Sequence, residues 1–159
     1  MGLEVERKFL VRSDEWRTLG EAVLIRQGYL CDVPERVVRV RLSGARGWLT
    51  VKGINVGPSR LEFEYEIPAK DAADLLDAFC PQPVLEKQRT RVPHGGLTWE
   101  VDEFSGANAG LVVAEVEIPH PDHPLTLPGW VGTEVTGDPR YYNNQLHAHP
   151  FTGWATPSS

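Results

Sequence analysis

Alternation between charged and apolar residues, in short runs, constrains this chain more than any other feature. Residues 3–11 set the pattern. As a strand they put Glu4, Glu6 and Lys8 on one face and Leu3, Val5, Arg7 and Phe9 on the other. The layout recurs along the chain. Residues 23–33 share a face through Ile25, Gln27 and Tyr29, and residues 36–42 set Arg39 and Arg41 against Val38, Val40 and Leu42. Residues 48–52 align Trp48, Thr50 and Lys52; residues 60–67 align Arg60, Glu62, Glu64 and Glu66 against Leu61, Phe63, Tyr65 and Ile67. Residues 84–92 align Lys87, Arg89 and Arg91. Residues 97–104 set Glu100 and Asp102 opposite Trp99 and Val101, and residues 111–118 align Glu115 and Glu117.

Turn chemistry at residues 32–35, 43–47 and 94–96 makes the connections hairpins. Three helical segments interrupt the strands. Ser13 can cap a short one that Gly20 ends, with Asp14 and Glu15 in its first turn. Residues 70–80 carry the apolar stripe Ala72, Leu75, Leu76 and Phe79, stopped by Pro81. Asp138 as N-cap and Pro139 at the first helical position predict a helix over 140–146. Residues 120–129 are Pro-rich and read as irregular surface chain.

The charged faces are segregated by sign. Strands one, five, seven and eight are acidic; three, four and six are basic. The opposite faces carry Val5, Phe9, Val38, Val40, Phe63, Tyr65, Trp99 and Val101, with Val113 and Ala114 nearby, enough to bury against helices. The pattern therefore predicts a mainly β (α+β) chain, a closed eight-stranded antiparallel β-barrel with helices packed outside and the charged face turned inward. Residues 1–159 read as one domain, with the strands in 1–118 and an irregular segment plus short helix in 119–159. A polar interior is tolerable only where opposite charges pair or ions fill it.

The inward inventory points to phosphate chemistry. Glu4, Glu6, Asp102, Glu115 and Glu117 are hard oxygen donors suited to Mg2+ or Mn2+. Lys8, Arg39, Arg41, Lys52, Lys87 and Arg89 suit a chain of phosphates, Arg bidentately and Lys as a point charge. A cation between the acids and a polyanion on the basic wall would neutralise both, which is the arrangement of a phosphoryl-transfer site. No Walker-type Gly-rich loop and no Ser or Cys nucleophile motif is present. The net charge of −6 gives no reason to expect nucleic acid. Two cysteines suggest a reducing compartment. With no signal-like apolar region and no membrane-spanning run, the expectation is a cytoplasmic protein, monomer or homodimer.

The run Glu4-Val5-Glu6-Arg7-Lys8 resembles the ExExK signature of the CYTH superfamily, the triphosphate tunnel metalloenzymes. The likeness continues through Gln27-Gly28-Tyr29-Leu30, Val38-Arg39-Val40-Arg41, Leu49-Thr50-Val51-Lys52 and Glu62-Phe63-Glu64-Tyr65-Glu66-Ile67. It extends to Glu86-Lys87-Gln88-Arg89, Trp99-Glu100-Val101-Asp102-Glu103-Phe104, Ala114-Glu115-Val116-Glu117 and Asp138-Pro139-Arg140-Tyr141-Tyr142-Asn143-Asn144. The set is most similar to the short bacterial single-domain members.

That resemblance implies a tunnel that binds triphosphate. It implies metal ligation by Glu4, Glu6, Asp102, Glu115 and Glu117, and phosphate binding by Lys8, Arg39, Arg41, Lys52 and Arg89. It places Lys87 near the attacking water with Tyr29 across the tunnel, and suggests that Arg140 or Tyr141 helps close one mouth. Glu62, Glu64 and Glu100 are further tunnel acids. Where relatives often read EKxRY, this chain reads Glu86-Lys87-Gln88-Arg89-Thr90-Arg91, and Arg91 adds an inward charge to the substrate wall by parity. The implied activity is metal-dependent hydrolysis of tripolyphosphate to diphosphate and phosphate. The alternatives are a nucleotide or thiamine triphosphatase, a class IV adenylate cyclase, or a non-catalytic polyphosphate-binding module. An organic group needs its own pocket, and the tunnel-facing residue two before Arg39 is Val37, not an aromatic. A binding module would need the basic wall but not the acids.

Overall fold

The computed structural model describes residues 5–56 and 59–154. Nine strands form one antiparallel sheet: β1 (Glu6–Val11), β2 (Ala22–Val33), β3 (Arg36–Ser43), β4 (Arg46–Val56), β5 (Ser59–Ile67), β6 (Leu85–His94), β7 (Leu97–Phe104), β8 (Val112–Glu117) and β9 (Val131–Glu134). Two α-helices join them, α1 (Ala69–Ala78) and α2 (Asn143–Ala148). The hydrogen-bonded order is β5-β4-β3-β2-β6-β7-β8-β1-β9.

Two features differ from the expected eight-stranded closed barrel. A ninth strand, absent from the sequence reading, pairs with β1 on the edge opposite β8. Among the described residues the sheet then ends at β5 and β9, with no ladder joining them. The edge of β1 that barrel closure would use is occupied by β9, held further by Arg7, which donates to both carboxylate oxygens of Glu134 at 2.9 and 2.7 Å. Four residues without marked alternation give β9 no period to detect.

Smaller differences have local causes. β4 runs through to Val56, past the 48–52 of the predicted strand, because a register shift between Lys52 and Asn55 absorbs the irregularity. The segment after Ser13 forms one 3-10 turn, Glu15–Thr18, with Asp14 rather than Ser13 at its N-cap. So few residues cannot repay the cost of an α-helical nucleus; burial of Trp16 anchors the turn instead. Asp138 does cap the C-terminal segment, accepting from the Arg140 amide at 3.1 Å. The helix it starts is a 3-10 turn, Pro139–Tyr141; the chain extends at Tyr142 and turns helical again in α2.

The outer face of β6, β7, β8 and β1 buries Phe9, Trp16, Val92, Trp99, Val101, Ala114, Val116 and Trp130 in one cluster. Phe9 and Trp130 flank Trp99 with ring centroids at 5.4 and 5.8 Å. The outer face of β3 packs Val40 on Ala72, Leu76 and Cys80. α1 lies there because its stripe is apolar and Asp71 suits its first turn. Phe63 and Tyr65, expected to bury against helices, are 45% and 59% exposed, since α1 covers β3 and β4 and stops short of β5.

Gly47 of β4 lies directly against α1. A Cβ there would meet Ala72 Cβ at 2.7 Å and the Ile67 carbonyl at 3.0 Å. Gly47→Ala is expected to destabilise the fold by about 1–3 kcal/mol through overpacking, read as a melting temperature lower by about 2–4 °C per kcal/mol. A variant that melts with the wild type would show that α1 can shift freely.

The helices are not all outside. Lys87 stands opposite Phe104 across the β6–β7 ladder, and Asp102 opposite Val113 across β7–β8, so these apolar residues share the charged face. Phe104 and Val113 pack with Leu85, Leu111, Tyr141 and Leu146. Tyr141 and α2 therefore sit on the inner face and fill one end of it. Alternation of charge alone did not reveal that this face is apolar at one end.

Candidate active site

The ladders convert sequence alternation into rows of inward side chains, because directly opposed residues share a face. One row runs Glu64, Thr50, Arg39, Tyr29 across β5, β4, β3 and β2. The next runs Glu66, Trp48, Arg41, Gln27. On the other half of the sheet, Arg89 opposes Asp102, Arg91 opposes Glu100, Glu100 opposes Glu115, Glu115 opposes Lys8, and Glu117 opposes Glu6. Lys8, Arg39, Lys87 and Arg89 are all buried on this face.

Lys87 is the deepest of them, 1% exposed. Its Nζ lies 2.9 Å from Asp102 and donates to Asn143 Oδ1 at 3.3 Å, with the Phe104 ring centroid at 5.6 Å. Burial pushes the ammonium pKa down to about 8; Asp102 opposes the shift, and Arg89 and Arg41 add to it. Asp102 has the reverse balance. Burial favours its neutral form, but Lys87 and Arg89 together outweigh that and hold it well below the usual carboxylate range. Arg89 grips both of its oxygens, Nε at 2.8 Å and Nη2 at 2.9 Å, a bidentate pair. Burial would lower Arg89, yet the Asp102 hydrogen bonds raise it. Asp102 is ionised and serves two cations; Lys87 has one carboxylate in direct contact, a second, Glu115, farther off, and two like charges nearby.

Arg39 and Arg41 form the opposite wall. Arg39 Nη2 donates to Thr50 Oγ1 at 3.3 Å and lies 3.6 Å from Glu64, and its buried Nε has no hydrogen-bond partner among the described residues. Arg41 Nε donates to Gln27 Oε1 at 3.2 Å, and burial, then Arg39 and Arg89, push its pKa down to about 9. Gln27 Nε2 in turn donates to the Tyr29 hydroxyl at 3.1 Å. Burial raises the Tyr29 pKa against the attraction of Arg39, so Tyr29 stays a hydroxyl. On β2 the residue opposite Lys87 is Ile25, four positions from Tyr29. Lys52 faces Glu62 at 3.9 Å. Sequence reading put Gln27 and Thr50 on the correct faces but gave them no role; their signal is polarity at an inward position of a strand.

The acidic end lies across β7, β8 and β1. Glu115 sits 3.3 Å from Lys8; burial, and Asp102 with it, would raise its pKa, and Lys8, Lys87 and Arg89 together outweigh them and lower it. Glu100 pairs with Arg89 at 3.2 Å and Arg91 at 3.1 Å. Arg91 is half exposed, at the rim of a cleft of about 600 Å³ that Thr98, Glu100 and Glu117 also line. Glu6 and Glu117 stand directly opposed at the open end of this row. Glu4 lies outside the described residues. Among those residues no three carboxylate, imidazole or thiolate groups converge closely enough to chelate a cation by themselves. The donors fit a hard divalent ion nonetheless, since all are carboxylates.

The C-terminal segment brings in two residues to which the sequence assigns no role, Tyr142 and Asn143, and with them the Tyr141 backbone. Lys8 Nζ donates to the Tyr141 carbonyl at 3.3 Å and lies 5.3 Å from the Tyr142 ring centroid, while Asn143 receives Lys87. Arg140, expected near a mouth, turns to solvent and pairs with Asp138 at 2.7 Å.

The CYTH domain family model matches residues 2–142. An inorganic triphosphatase of Acetivibrio thermocellus is 49% identical over 151 residues, spanning 95% of this chain and 97% of that protein. An inorganic triphosphatase of Nitrosomonas europaea is 37% identical over 148 residues, spanning 90% and 95%. A crystal structure of an inorganic triphosphatase superposes with a TM-score of 0.65 at 33% identity, covering 92% of this chain and 95% of that one.

Proposed function

The chain belongs to the CYTH domain family, and from that premise we propose that it is an inorganic triphosphatase, cleaving tripolyphosphate to diphosphate and phosphate. The observation that carries the reading is the burial of Lys8, Arg39, Lys87 and Arg89 on one face, with Arg39 Nε unpartnered there among the described residues. Buried cations at this density repel one another, and a polyanion relieves that cost.

Arg39, Arg41, Lys52 and Lys8 bind the phosphate oxygens. Arg89 is locked by Asp102 and acts as a fixed positive charge facing the bound chain. Arg91 extends the wall to the rim. Glu62 and Glu64 hold Lys52 and Arg39 in place from β5, and Glu100 holds Arg91. Glu6, Glu115 and Glu117, with Glu4 and with Asp102 behind them, would hold Mg2+ or Mn2+, which supplies charge neutralisation at the phosphate oxygens. Lys87, whose ammonium is lowered to about 8, takes a proton from the attacking water in its neutral form. The buried Tyr29 hydroxyl, oriented by Gln27, lies in the row of Arg39 and hydrogen-bonds substrate oxygen.

An unsubstituted polyphosphate suits the walls. Val37, opposite Lys52, is buried and offers no ring for stacking. Trp48 shares the inward face, but the Arg46 guanidinium covers its ring at 5.0 Å. The test is phosphate release from tripolyphosphate, ATP and thiamine triphosphate with Mg2+ or Mn2+. Tripolyphosphate is expected to be turned over with the highest kcat/KM. A preference for ATP or thiamine triphosphate would reassign the substrate, and tight tripolyphosphate binding without turnover would make the chain a binding module.

A further inference from the structure

The break between the 3-10 turn Pro139–Tyr141 and α2 brings three consecutive residues to two buried lysines. Tyr142 is extended, with φ −73° and ψ 137°. That conformation frees the Tyr141 carbonyl for Lys8, lays the Tyr142 ring beside the same ammonium, and starts α2 with Asn143 facing Lys87. Asparagine near a helix start ordinarily turns its side chain back onto the helix amides. Here the N-cap is Tyr142, without a side-chain cap bond, and Asn143 directs its oxygen to Lys87 Nζ at 3.3 Å.

A tetrahedral nitrogen with two of its three hydrogen positions fixed has its third direction fixed as well. Asp102 holds one at 2.9 Å and Asn143 the other. The two acceptors come from β7 and α2, so the sheet alone does not orient the amine. We propose that Asn143 is a positioning residue that acts through Lys87, aiming its one remaining position at the attacking water; this rests on the triphosphatase reading above. The Phe104 ring beside Lys87 bars the amine from swinging toward the apolar end of the face.

The test compares Asn143→Leu and Asn143→Ala, which remove the acceptor, with Asn143→Asp, which keeps an oxygen on the same skeleton. Loss of a hydrogen bond to a charged group is expected to lower kcat roughly 10- to 100-fold with KM within about threefold in the Leu and Ala variants. Asn143→Asp should stay within about threefold of wild-type kcat on the alkaline plateau, with its pH limb moved upward because the added carboxylate favours the Lys87 ammonium. In a Lys87→Ala background the Leu substitution should have no further effect, because a residue that works through another loses its influence when that other is gone. Thermal melts report whether each variant is folded. Active wild type with Leu and Ala variants of unchanged kcat overturns the inference alone. So does an equal loss with and without Lys87, which would assign Asn143 to the folding of α2. Wild type that does not hydrolyse tripolyphosphate overturns the functional reading and this inference with it.

Discussion

Lys87→Ala is expected to lower kcat on tripolyphosphate by roughly 10²–10⁴-fold, the contribution typical of a general base, while KM changes little. A buried amine surrounded by Asp102, Arg89 and Arg41 has two separable uses, and the kinetics distinguish them. As a phosphate ligand it would contact ground and transition states alike, and its loss would mainly raise KM. As a base it acts only in its neutral form, so kcat/KM of the wild type should rise with pH through about 8 and level off above it. The sign follows from burial: desolvation favours the uncharged amine, so the active form gains as protons are removed. Bound triphosphate pulls the pKa upward, so the limb in kcat should lie at higher pH than the limb in kcat/KM. A pH limb that survives unchanged in Lys87→Ala belongs to another group and removes Lys87 as the base.

Glu117→Gln should abolish metal-dependent turnover without unfolding the chain, and Glu6→Gln should do the same. The two carboxylates face each other across the β1–β8 ladder, at the end of a row that includes Glu115 and Glu100. Opposed like charges in a ladder cost roughly 0.2–1 kcal/mol, so the metal-free variants should melt within a few degrees of wild type. Wild type should gain stability with Mg2+ or Mn2+, by about 2.7 kcal/mol at a hundredfold excess over Kd. Calorimetric melts with and without metal read this directly. In the variants the gain should largely vanish. Full activity in Glu117→Gln with unaltered metal dependence would leave these acids a purely structural role.

The charged face itself was legible in the sequence. Glu6, Lys8, Arg39, Arg41, Lys87, Arg89, Asp102, Glu115 and Glu117 fall at alternate positions of strands whose apolar partners are unambiguous, and strand geometry leaves no freedom about which face they share. The helix α1 was legible for the same reason, with a residue or two of difference at its ends. β9 was not, since its four residues carry no period and it exists because β1 offers an unpaired edge. The exposure of Phe63 and Tyr65 could not be read either, because a strand pattern says which residues share a face and not whether anything covers it.

Sequence alone determined the chemistry available: an inward face of carboxylates, lysines and arginines, fixed by the period of two. Tertiary structure decided how that chemistry is distributed. Asp102 is bound by Lys87 and Arg89 because the β6–β7 register sets them side by side. Lys87 is lowered to about 8 because the apolar end of the same face and α2 bury it. Asn143 reaches it across 56 positions of chain. Local pattern encodes the direction of a side chain; register, burial and long-range contact decide what stands next to it, and therefore its charge.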